Sequence, residues 1–363
     1  MILGIGVLFI VVMGLASCAP QFGKHPEGER LERLQHSANY VDGTFRNQVE
    51  APQPVTRTSR FSTLLEHVFK KADSLAPKKP VPSIKTDLTS LDVTRDTVVW
   101  LGHSSFFLLL DGKRILVDPV FSDHAAPFPF ANRAFAGTTV YTASDMPPID
   151  YLLITHDHWD HLDYPTVTAL ERSVRQAICG LGVGAHLEYW GYPKEKILEG
   201  DWYEKFTLQD GLTVHVLPAR HFSGRSLTRN KTLWVGFALI SSARSVFISG
   251  DSGYGPHFAE TGRRFGGFDV AILENGQYDS RWPYSHMLPE ETARAAVELE
   301  AKAVIPDHSG KFAMARHPWD EPLKRLSDAS KGQPYRFLTP VIGQPVFLDD
   351  TRQTFSAWWE GLE

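Results

Sequence analysis

The stretch Thr155-His156-Asp157-His158-Trp159-Asp160-His161-Leu162-Asp163 holds three histidines and three aspartates in nine residues. It follows the apolar run at 151–154, which predicts a short buried strand that ends where the polar cluster begins. In a loop after that strand, the first two histidines can converge on one point, and Asp160 and His161 can serve a second point a few ångströms away. Neutral imidazole and carboxylate are ligands that suit zinc, manganese or iron, and no cysteine lies nearby. This stretch therefore predicts a metal site at the end of a strand.

Three further candidate ligands stand just beyond strand-like runs in later parts of the chain. A site for two metals needs roughly seven or eight ligand atoms, which is more than one loop supplies. The later candidates are His221 after the run at 212–217, Asp251 after 245–248, and His308 after 303–305. Because ligand types recur in series at strand ends, we expect these strands to end at one edge of a sheet and to complete the site.

The composition is that of a globular protein with a sizeable core. The chain has 363 residues, of which 42% are hydrophobic and 22% are charged. Its formal net charge is −5, so the charge balance gives no indication that the protein binds nucleic acid.

The N-terminal sequence predicts attachment to a membrane. Residues 2–15 form an apolar run too short to span a bilayer comfortably, and they lead into Leu15-Ala16-Ser17-Cys18, which resembles a bacterial lipobox. We therefore expect residues 1–17 to be a signal peptide of the lipoprotein type and Cys18 to carry the lipid. An uncleaved membrane anchor is the alternative. Either interpretation places the protein in the cell envelope, outside the cytoplasm.

The rest of the chain divides into an N-terminal segment and a catalytic domain. Residues 18–94 are polar and rich in proline and basic residues, which predicts a stalk and an arm that packs on the domain. Residues 61–73 within this segment have the pattern of an amphipathic helix. Residues 95–363 carry hairpin-rich strands followed by helices, twice over. This order predicts an α/β fold in which two sheets pack face to face with helices outside, an αββα sandwich.

Apolar runs and turn residues predict the individual elements of the domain. Asp111-Gly112 and Asp210-Gly211 predict hairpin turns, and proline near the first turn predicts helices at 165–175 and 289–300. A short helix is predicted at 185–189. Strands are predicted at 97–101, 106–110, 114–117, 151–154, 176–181, 234–240, 245–248, 270–273 and 303–305, with a further hairpin at 206–216.

Two residues early in the domain can support the metal ligands. His103 follows the first strand of the domain, and Asp118 follows the third. Metal-binding histidines usually donate their second N–H to a carboxylate or a carbonyl, so Asp118 is a candidate to orient one of them. His103 is a candidate to line the cleft. For both residues, capping a turn is the alternative role.

Together these motifs resemble the metallo-β-lactamase superfamily and, within it, the branch that contains N-acylphosphatidylethanolamine phospholipase D and the ascorbate-6-phosphate lactonase-like proteins. The resemblance is carried by Trp100-Leu101-Gly102-His103, Asp118-Pro119, residues 156–163, Gly250-Asp251-Ser252-Gly253-Tyr254 and His286-Met287-Leu288-Pro289-Glu290-Glu291. It implies the αββα fold, over about residues 96–347, with the site along one edge of the two sheets. It also implies a ligand assignment, in which one metal is held by His156, His158 and His221, the second by Asp160, His161 and His308, and Asp251 bridges them.

The resemblance implies a hydrolase that uses two divalent metal ions, expected to be zinc. Two such ions lower the pKa of a bridging water, so that hydroxide becomes the nucleophile. Asp157 is the candidate to orient that water or carry its proton, and His286 is the candidate donor to the oxyanion or leaving group. Gln277, Tyr278 and Arg281 lie in a polar and aromatic loop that we expect to line the substrate cleft. A purely structural role in loop or turn is the alternative for these residues.

The favoured function is that of a phosphodiesterase of the N-acylphosphatidylethanolamine phospholipase D type, acting on that lipid or a related one beside the membrane. An esterase or lactonase on the same metals is the second candidate, and a β-lactamase is the third. A metal-binding envelope protein without turnover is the alternative of another class. The aromatic residues after Asp118 are predicted to form, with the loop of Arg281, a groove for acyl chains, and ordinary core packing is their alternative: Phe121, Phe128, Phe130 and Phe135.

Overall fold

The computed structural model describes residues 19–51, 74–226 and 228–363. The predicted signal peptide, Cys18 and the predicted helix at 61–73 lie outside the described residues. Two seven-stranded sheets form the centre of the described chain. A small separate hairpin joins β1 (Tyr40–Val41) to β2 (Thr44–Phe45).

Sheet one is built from the first half of the domain and one late strand. Its members are β3 (Thr97–Gly102), β4 (Ser105–Leu110), β5 (Lys113–Val117), β6 (Ile149–Ile154), β7 (Val174–Gly180), β8 (Ile197–Gly200) and β16 (Pro345–Phe347). The order across the sheet is β16-β3-β4-β5-β6-β7-β8, antiparallel from β16 to β5 and parallel from β5 to β8. Asp111-Gly112 makes the β4–β5 turn, as predicted, and both residues have positive φ.

Sheet two follows in the chain and repeats this mixture of directions. Its members are β9 (Lys205–Thr207), β10 (Thr213–Pro218), β11 (Val235–Ile240), β12 (Ser245–Ile248), β13 (Val270–Glu274), β14 (Ala303–Asp307) and β15 (Arg336–Phe337). The order is β15-β14-β13-β12-β11-β10-β9, antiparallel from β9 to β12 and parallel from β12 to β15.

The main core lies between the two sheets. Successive residues of a strand point to opposite faces, so β3 contributes Val98 and Trp100 to this core and Val99 and Leu101 to a second core outside sheet one. Both faces of β3 are buried, which is why its sequence is a continuous apolar run rather than an alternating one. A third core covers the outer face of sheet two around Phe247.

Helices cover the two outer faces of the sandwich. The outer core of sheet one contains residues of α2 (Tyr164–Leu170) and α3 (Gly184–Tyr189), whereas that of sheet two contains residues of α4 (His257–Phe265) and α5 (Pro289–Glu298); α6 (Glu321–Ala329) contacts α5. The predicted αββα sandwich is confirmed. The sequence analysis did not predict α4 or α6, and it extended α2 too far, because β7 already begins at Val174.

One edge of the sandwich collects the strand ends that bear the predicted ligands. Asp118 follows β5, the His-Asp loop follows β6, and Asp251 follows β12. Gly250 shapes the turn before Asp251: its φ is +56°, and a Cβ there would lie 2.7 Å from the Val235 carbonyl oxygen, so a larger residue cannot be accommodated.

The described part of the N-terminal segment lies against the catalytic domain. Residues 19–51 include α1 (Gly28–Gln35), in which Arg30 pairs with Glu199 at 2.6 Å and Arg33 donates to the Glu199 carbonyl at 2.6 Å. Leu34 and Phe45 are fully buried in the main core. The described residues 19–51 thus form a packed arm, which we call the N-terminal arm.

Candidate metal centre

Four side chains form the first group of candidate ligands. His156 Nε2 lies 2.8 Å from His158 Nδ1, and His221 Nε2 lies 3.2 Å from the same His158 nitrogen. Asp251 Oδ2 completes the group at 3.5 Å from His221 Nε2 and 3.7 Å from His156 Nε2. One ligand atom from each residue falls within 4.8 Å of the others, a spacing that a single metal ion can span.

A second group adjoins the first on the other side of Asp251. Asp251 Oδ1 lies 3.1 Å from His161 Nε2 and 3.1 Å from His308 Nδ1. Asp160 Oδ2 lies 3.4 Å from His161 Nε2 and 3.9 Å from His308 Nδ1. The two oxygens of Asp251 therefore face one group each, which is the arrangement expected of a bridging carboxylate.

The donor set fits divalent metal ions. Asp251 Oδ1, His161 Nε2 and His308 Nε2 are buried and make no hydrogen bond of acceptable geometry, although an unsatisfied buried polar atom is costly. Burial holds the pKa of His156, His221 and His308 well below the ordinary value for histidine. These imidazoles are consequently neutral at physiological pH, the form that binds metal.

Asp118 and His103 both lie beside the ligand groups, as expected. Asp118 accepts hydrogen bonds from the Thr155 N–H at 2.8 Å, from its hydroxyl at 2.6 Å, and from His161 Nδ1 at 2.8 Å, which leaves His161 Nε2 directed at the second group. His103 is fully buried, and its Nε2 lies 2.9 Å from Asp160 Oδ2. Each residue therefore contacts a candidate ligand and can fix its orientation. One ring nitrogen of His103 also lies within 4.8 Å of ligand atoms of Asp160, His161 and His308, so His103 is itself placed among the groups that could hold a metal.

His286 adjoins two of the candidate ligands, Asp251 and His308. Its ring stacks on His308 with the centroids 5.0 Å apart, and one of its nitrogens lies within 4.8 Å of ligand atoms of Asp251 and His308. Its Nδ1 is 3.2 Å from Glu274 Oε1, a buried carboxylate at the end of β13 that also accepts from the N–H groups of Ser252 and Met287. Burial lowers the pKa of His286, but the charge and hydrogen bond of Glu274 outweigh it and raise the pKa overall. Sequence reasoning missed Glu274, although it ends a strand at the same edge as the ligands.

Asp157 points away from the candidate ligands, so the predicted catalytic role is not supported. Its Oδ1 accepts from the Gly224 N–H at 2.7 Å, and its Oδ2 accepts from the Thr232 hydroxyl at 2.8 Å and contacts His186 Nε2 at 3.2 Å. Burial alone would raise the pKa of this carboxyl, but the His186 hydrogen bond and the neighbouring positive charges lower it overall. Both oxygens are thus occupied in fixing the loop.

The side chains of Gln277 and Tyr278 make hydrogen bonds to other residues of the protein. The Gln277 amide donates to the His308 and Phe312 carbonyls and accepts from the N–H groups of Met314 and Ala315, which fastens the loop after His308. The Tyr278 hydroxyl donates to Glu321 at 2.7 Å, and its ring stacks on His317. These contacts fit the alternative, structural role of the two side chains, and their contact with a substrate stays a prediction.

Arg281 is neutralised by a neighbouring acid. Its Nε and Nη2 donate to the two oxygens of Asp279 at 2.7 and 2.6 Å, and the guanidinium stacks over Trp282. The bidentate carboxylate partner uses Nε and Nη2 and offsets the charge of the guanidinium, so a contact of Arg281 with phosphate stays a prediction. Phe121 and Phe135 pack against the cores, as their alternative interpretation had it, whereas Phe130 is 81% exposed.

The N-terminal arm contacts the loop of His221 directly and the His-Asp loop through Arg225, and sequence reasoning missed this. Asn47 bonds the backbone of His221 through its amide nitrogen at 2.8 Å and its amide oxygen at 3.1 Å. Arg225, buried over the Trp159 ring, donates to the Asp157 and Leu162 carbonyls of the His-Asp loop and to the Gln21 carbonyl of the arm. The arm is therefore part of the framework that positions the candidate ligands.

This fold with its converging His and Asp side chains defines a metal-dependent hydrolase of the metallo-β-lactamase type. The sequence pattern of the "Beta-lactamase superfamily domain" matches residues 113–309, and the chain belongs to that superfamily. The seven candidate ligands of the two groups all fall inside the matched region.

Relatives within the superfamily have more particular names. An N-acyl-phosphatidylethanolamine-hydrolyzing phospholipase D of Caenorhabditis elegans is 30% identical over 264 residues, which cover 68% of this chain and 74% of that protein. The outer membrane protein RomA of Klebsiella pneumoniae is 60% identical over 102 residues, 28% of this chain and 77% of RomA. Igni18, a metallo hydrolase of Ignicoccus hospitalis, shares the fold with a TM-score of 0.54 at 20% identity, over 70% of this chain and 98% of its own.

Within residues 19–51, 74–226 and 228–363, no helix combines the length and the apolar character that crossing a membrane requires.

Proposed function

We propose that this metal-dependent hydrolase is a phosphodiesterase of the N-acylphosphatidylethanolamine phospholipase D type that uses two zinc ions. The observation that carries the proposal is the position of Asp251, whose two oxygens face neighbouring ligand groups, because two neighbouring cations suit the displacement of an oxygen leaving group from phosphorus. The name of the C. elegans relative supports the same substrate class.

The residues take the following proposed roles. His156, His158 and His221 would hold one ion and Asp160, His161 and His308 the other, with Asp251 placed between the two groups. When bound, such a pair of ions lowers the pKa of a water molecule and neutralises charge on the phosphoryl and leaving oxygens.

His286 is the proposed proton donor. The contact between its Nδ1 and Glu274 fixes the orientation of the ring, and one of its nitrogens lies within 4.8 Å of ligand atoms of Asp251 and His308. A donor in that place can protonate the leaving oxygen. Glu274 acts through His286 and is a positioning residue.

The proposal also includes a cellular location. The Leu15-Ala16-Ser17-Cys18 motif and the name of RomA support a lipoprotein of the cell envelope, held to a membrane through Cys18. A lipid-anchored enzyme would stand beside a phospholipid substrate.

A substrate panel tests the reaction. Zinc-loaded full-length protein is given N-acylphosphatidylethanolamine, bis-p-nitrophenyl phosphate, a lactone and nitrocefin, with Asp251→Ala as the control for contaminating hydrolases. Release of phosphatidic acid from the first substrate, absent in the variant, is the expected result. Turnover confined to the lactone would replace the proposal with the esterase or lactonase alternative, and turnover confined to nitrocefin with a β-lactamase.

A further inference from the structure

We propose that the loop bearing Phe128 and Phe130 docks the protein on the surface of a lipid bilayer. The two rings are stacked, with centroids 5.6 Å apart and an interplanar angle of 5°, and Phe130 is 81% exposed. They belong to the apolar sequence Ala126-Pro127-Phe128-Pro129-Phe130. Phe128 is half-buried, so it supports the exposed ring of Phe130 from below, and an exposed aromatic ring in an apolar run of this kind indicates a surface that binds an apolar partner.

Hydrogen bonds within the loop fix the backbone on which the two phenylalanines stand. The Ala125 N–H donates to the Asn132 carbonyl at 3.0 Å, and the Asn132 amide returns a bond to the Ala125 carbonyl at 3.1 Å. Between them, the Ala131 N–H donates to the Phe128 carbonyl at 3.1 Å. Because these bonds close the base and the tip of the loop, the ring of Phe130 is presented to solvent without loss of backbone hydrogen bonding.

The start of the N-terminal arm lies beside this loop. Gln21 Nε2 donates to the Pro127 carbonyl at 3.4 Å, while Trp190 Nε1 donates to the Pro20 carbonyl at 2.7 Å. The buried side chain of Arg225 donates a hydrogen bond from Nη2 to the Gln21 carbonyl at 2.9 Å. Residues 20–21 are thus fixed next to the aromatic pair by three separate side chains.

The identity of the partner follows from the sequence that precedes residue 19. Cys18 and the uncharged apolar run at 2–15 adjoin the fixed arm. If the protein is held to a membrane through Cys18, as proposed above, or through the apolar run itself, an apolar group would enter the membrane within a few residues of Gln21. A membrane is therefore favoured over a second copy of the chain as the partner of Phe128 and Phe130, since aromatic side chains suit the bilayer interface.

The proposed docking surface also adjoins the metal centre. Phe22 of the arm meets the Trp159 ring edge-on, with centroids 5.2 Å apart, and Trp159 lies between His158 and Asp160 in the His-Asp loop. A bilayer touched by Phe130 would lie on the side of the molecule where this loop is found. The identity of the partner rests on the membrane anchoring in the proposed function, whereas the surface is independent of the proposed reaction and of its substrate.

Tryptophan quenching tests the surface without a substrate. Full-length protein with Phe130→Trp is reconstituted into vesicles of phosphatidylethanolamine and phosphatidylglycerol, with and without lipids brominated in the acyl chain near the headgroup. The matched control is Val93→Trp, since Val93 is 39% exposed and lies by Gly112, at the end of sheet one opposite the metal centre. Each signal is compared with the wild-type tryptophans.

We expect brominated lipid to quench the emission added by Phe130→Trp at least twofold and to leave that added by Val93→Trp unchanged. Equal quenching, or none, in the two variants would overturn the docking surface. The readout requires only a folded protein in vesicles, verified by thermal melting, so it is independent of the substrate panel and fails separately from the proposed reaction.

Discussion

The side chain of Asn47 makes two hydrogen bonds to the backbone of His221. Its amide nitrogen donates to the His221 carbonyl oxygen at 2.8 Å, and its amide oxygen accepts from the His221 N–H at 3.1 Å. The two residues are 174 positions apart in the chain. The same amide oxygen accepts from Trp234 Nε1 at 3.0 Å. A candidate metal ligand is therefore positioned by a segment that lies outside the superfamily match.

We expect Asn47→Ala to weaken metal binding. The change removes both contacts to His221, and loss of a partner that orients a ligand typically costs about tenfold or more in metal affinity. The measurement is competition for zinc with a calibrated chelator. The control is Asn39→Ala, which removes an arm contact to Asp201 at 3.0 Å that does not involve a ligand. Equal affinities in the two variants would show that Asn47 serves stability alone.

Removal of a candidate ligand should remove metal and activity together. His156→Ala and Asp251→Ala each delete a ligand atom, and we expect lower metal content by emission spectrometry and a loss of more than about a hundredfold in kcat/KM. Since Asp251 faces both groups, its variant should lose more metal than His156→Ala. His215→Ala is the control, because this histidine packs edge-on against Phe265 and away from the ligands. Full metal content in Asp251→Ala would contradict the assignment.

Asp157→Asn should leave most of the activity intact. Its two oxygens bind His186, Thr232 and Gly224, so we expect kcat within about tenfold of wild type, whereas loss of a general base typically costs about a hundredfold or more. The melting temperature should fall, because the amide cannot reproduce every contact of the carboxylate. A large fall in kcat with unchanged metal content would return Asp157 to a catalytic role.

His286→Gln should lower kcat without lowering metal content. If His286 donates the proton, a substrate with a good leaving group such as p-nitrophenol needs that proton less, so the loss should be smaller for bis-p-nitrophenyl phosphate than for a phospholipid. The ratio of kcat/KM on the two substrates measures this. A proportional loss on both, together with lost metal, would identify His286 as a ligand instead.

The buried side chain of Lys311 should make the free energy of unfolding depend on pH. Burial lowers the pKa of its ammonium to about 8, although the charge of Asp163 opposes this, and its Nζ donates to the Val120 carbonyl at 2.6 Å. The pKa of Lys311 is lower in the folded protein than in the unfolded chain. At a pH between these two pKa values the unfolded chain therefore binds more protons than the folded protein, and the free energy of unfolding rises with pH in this range. Below this window the full cost of the buried charge applies, and it is about 3 kcal/mol.

The Lys311→Met variant isolates this effect. Its free energy of unfolding relative to wild type should be most favourable near neutral pH and should decline as the pH is raised from 8 toward the ordinary lysine value. Urea denaturation of both proteins across that range gives the difference, from which the constant cost of the unpaired Val120 carbonyl can be separated. A difference independent of pH would show that Lys311 is not buried as an ammonium.

The fold and the ligand positions were accessible from sequence because each rests on a local pattern. Apolar runs marked the strands, and a ligand-type residue followed each relevant run, so that His221, Asp251 and His308 could be picked out without knowledge of the strand order. Asp118 was accessible for the same reason. The order of the strands across each sheet is set by non-local pairing and carries no comparable signal.

The roles of Asp157, Gln277 and Arg281 could not be derived in this way. Nearness in sequence to a ligand does not determine where a side chain points, and the partners of Asp157 come from α3 and from the loop before β11. Asn47 and Arg225 were missed because a single polar residue in a polar segment has no periodicity. Their importance arises only from contacts with residues far along the chain.

The division of the candidate ligands between the two sheets has a consequence for how the molecule comes apart. The His-Asp loop extends from sheet one, whereas His221, Asp251 and His308 extend from sheet two. A metal ion held by both sets acts as a cross-link across the sandwich, and its binding energy opposes separation of the layers. Opening between the sheets would release the metal, so chelation should raise the rate of proteolysis at strands that are otherwise inaccessible.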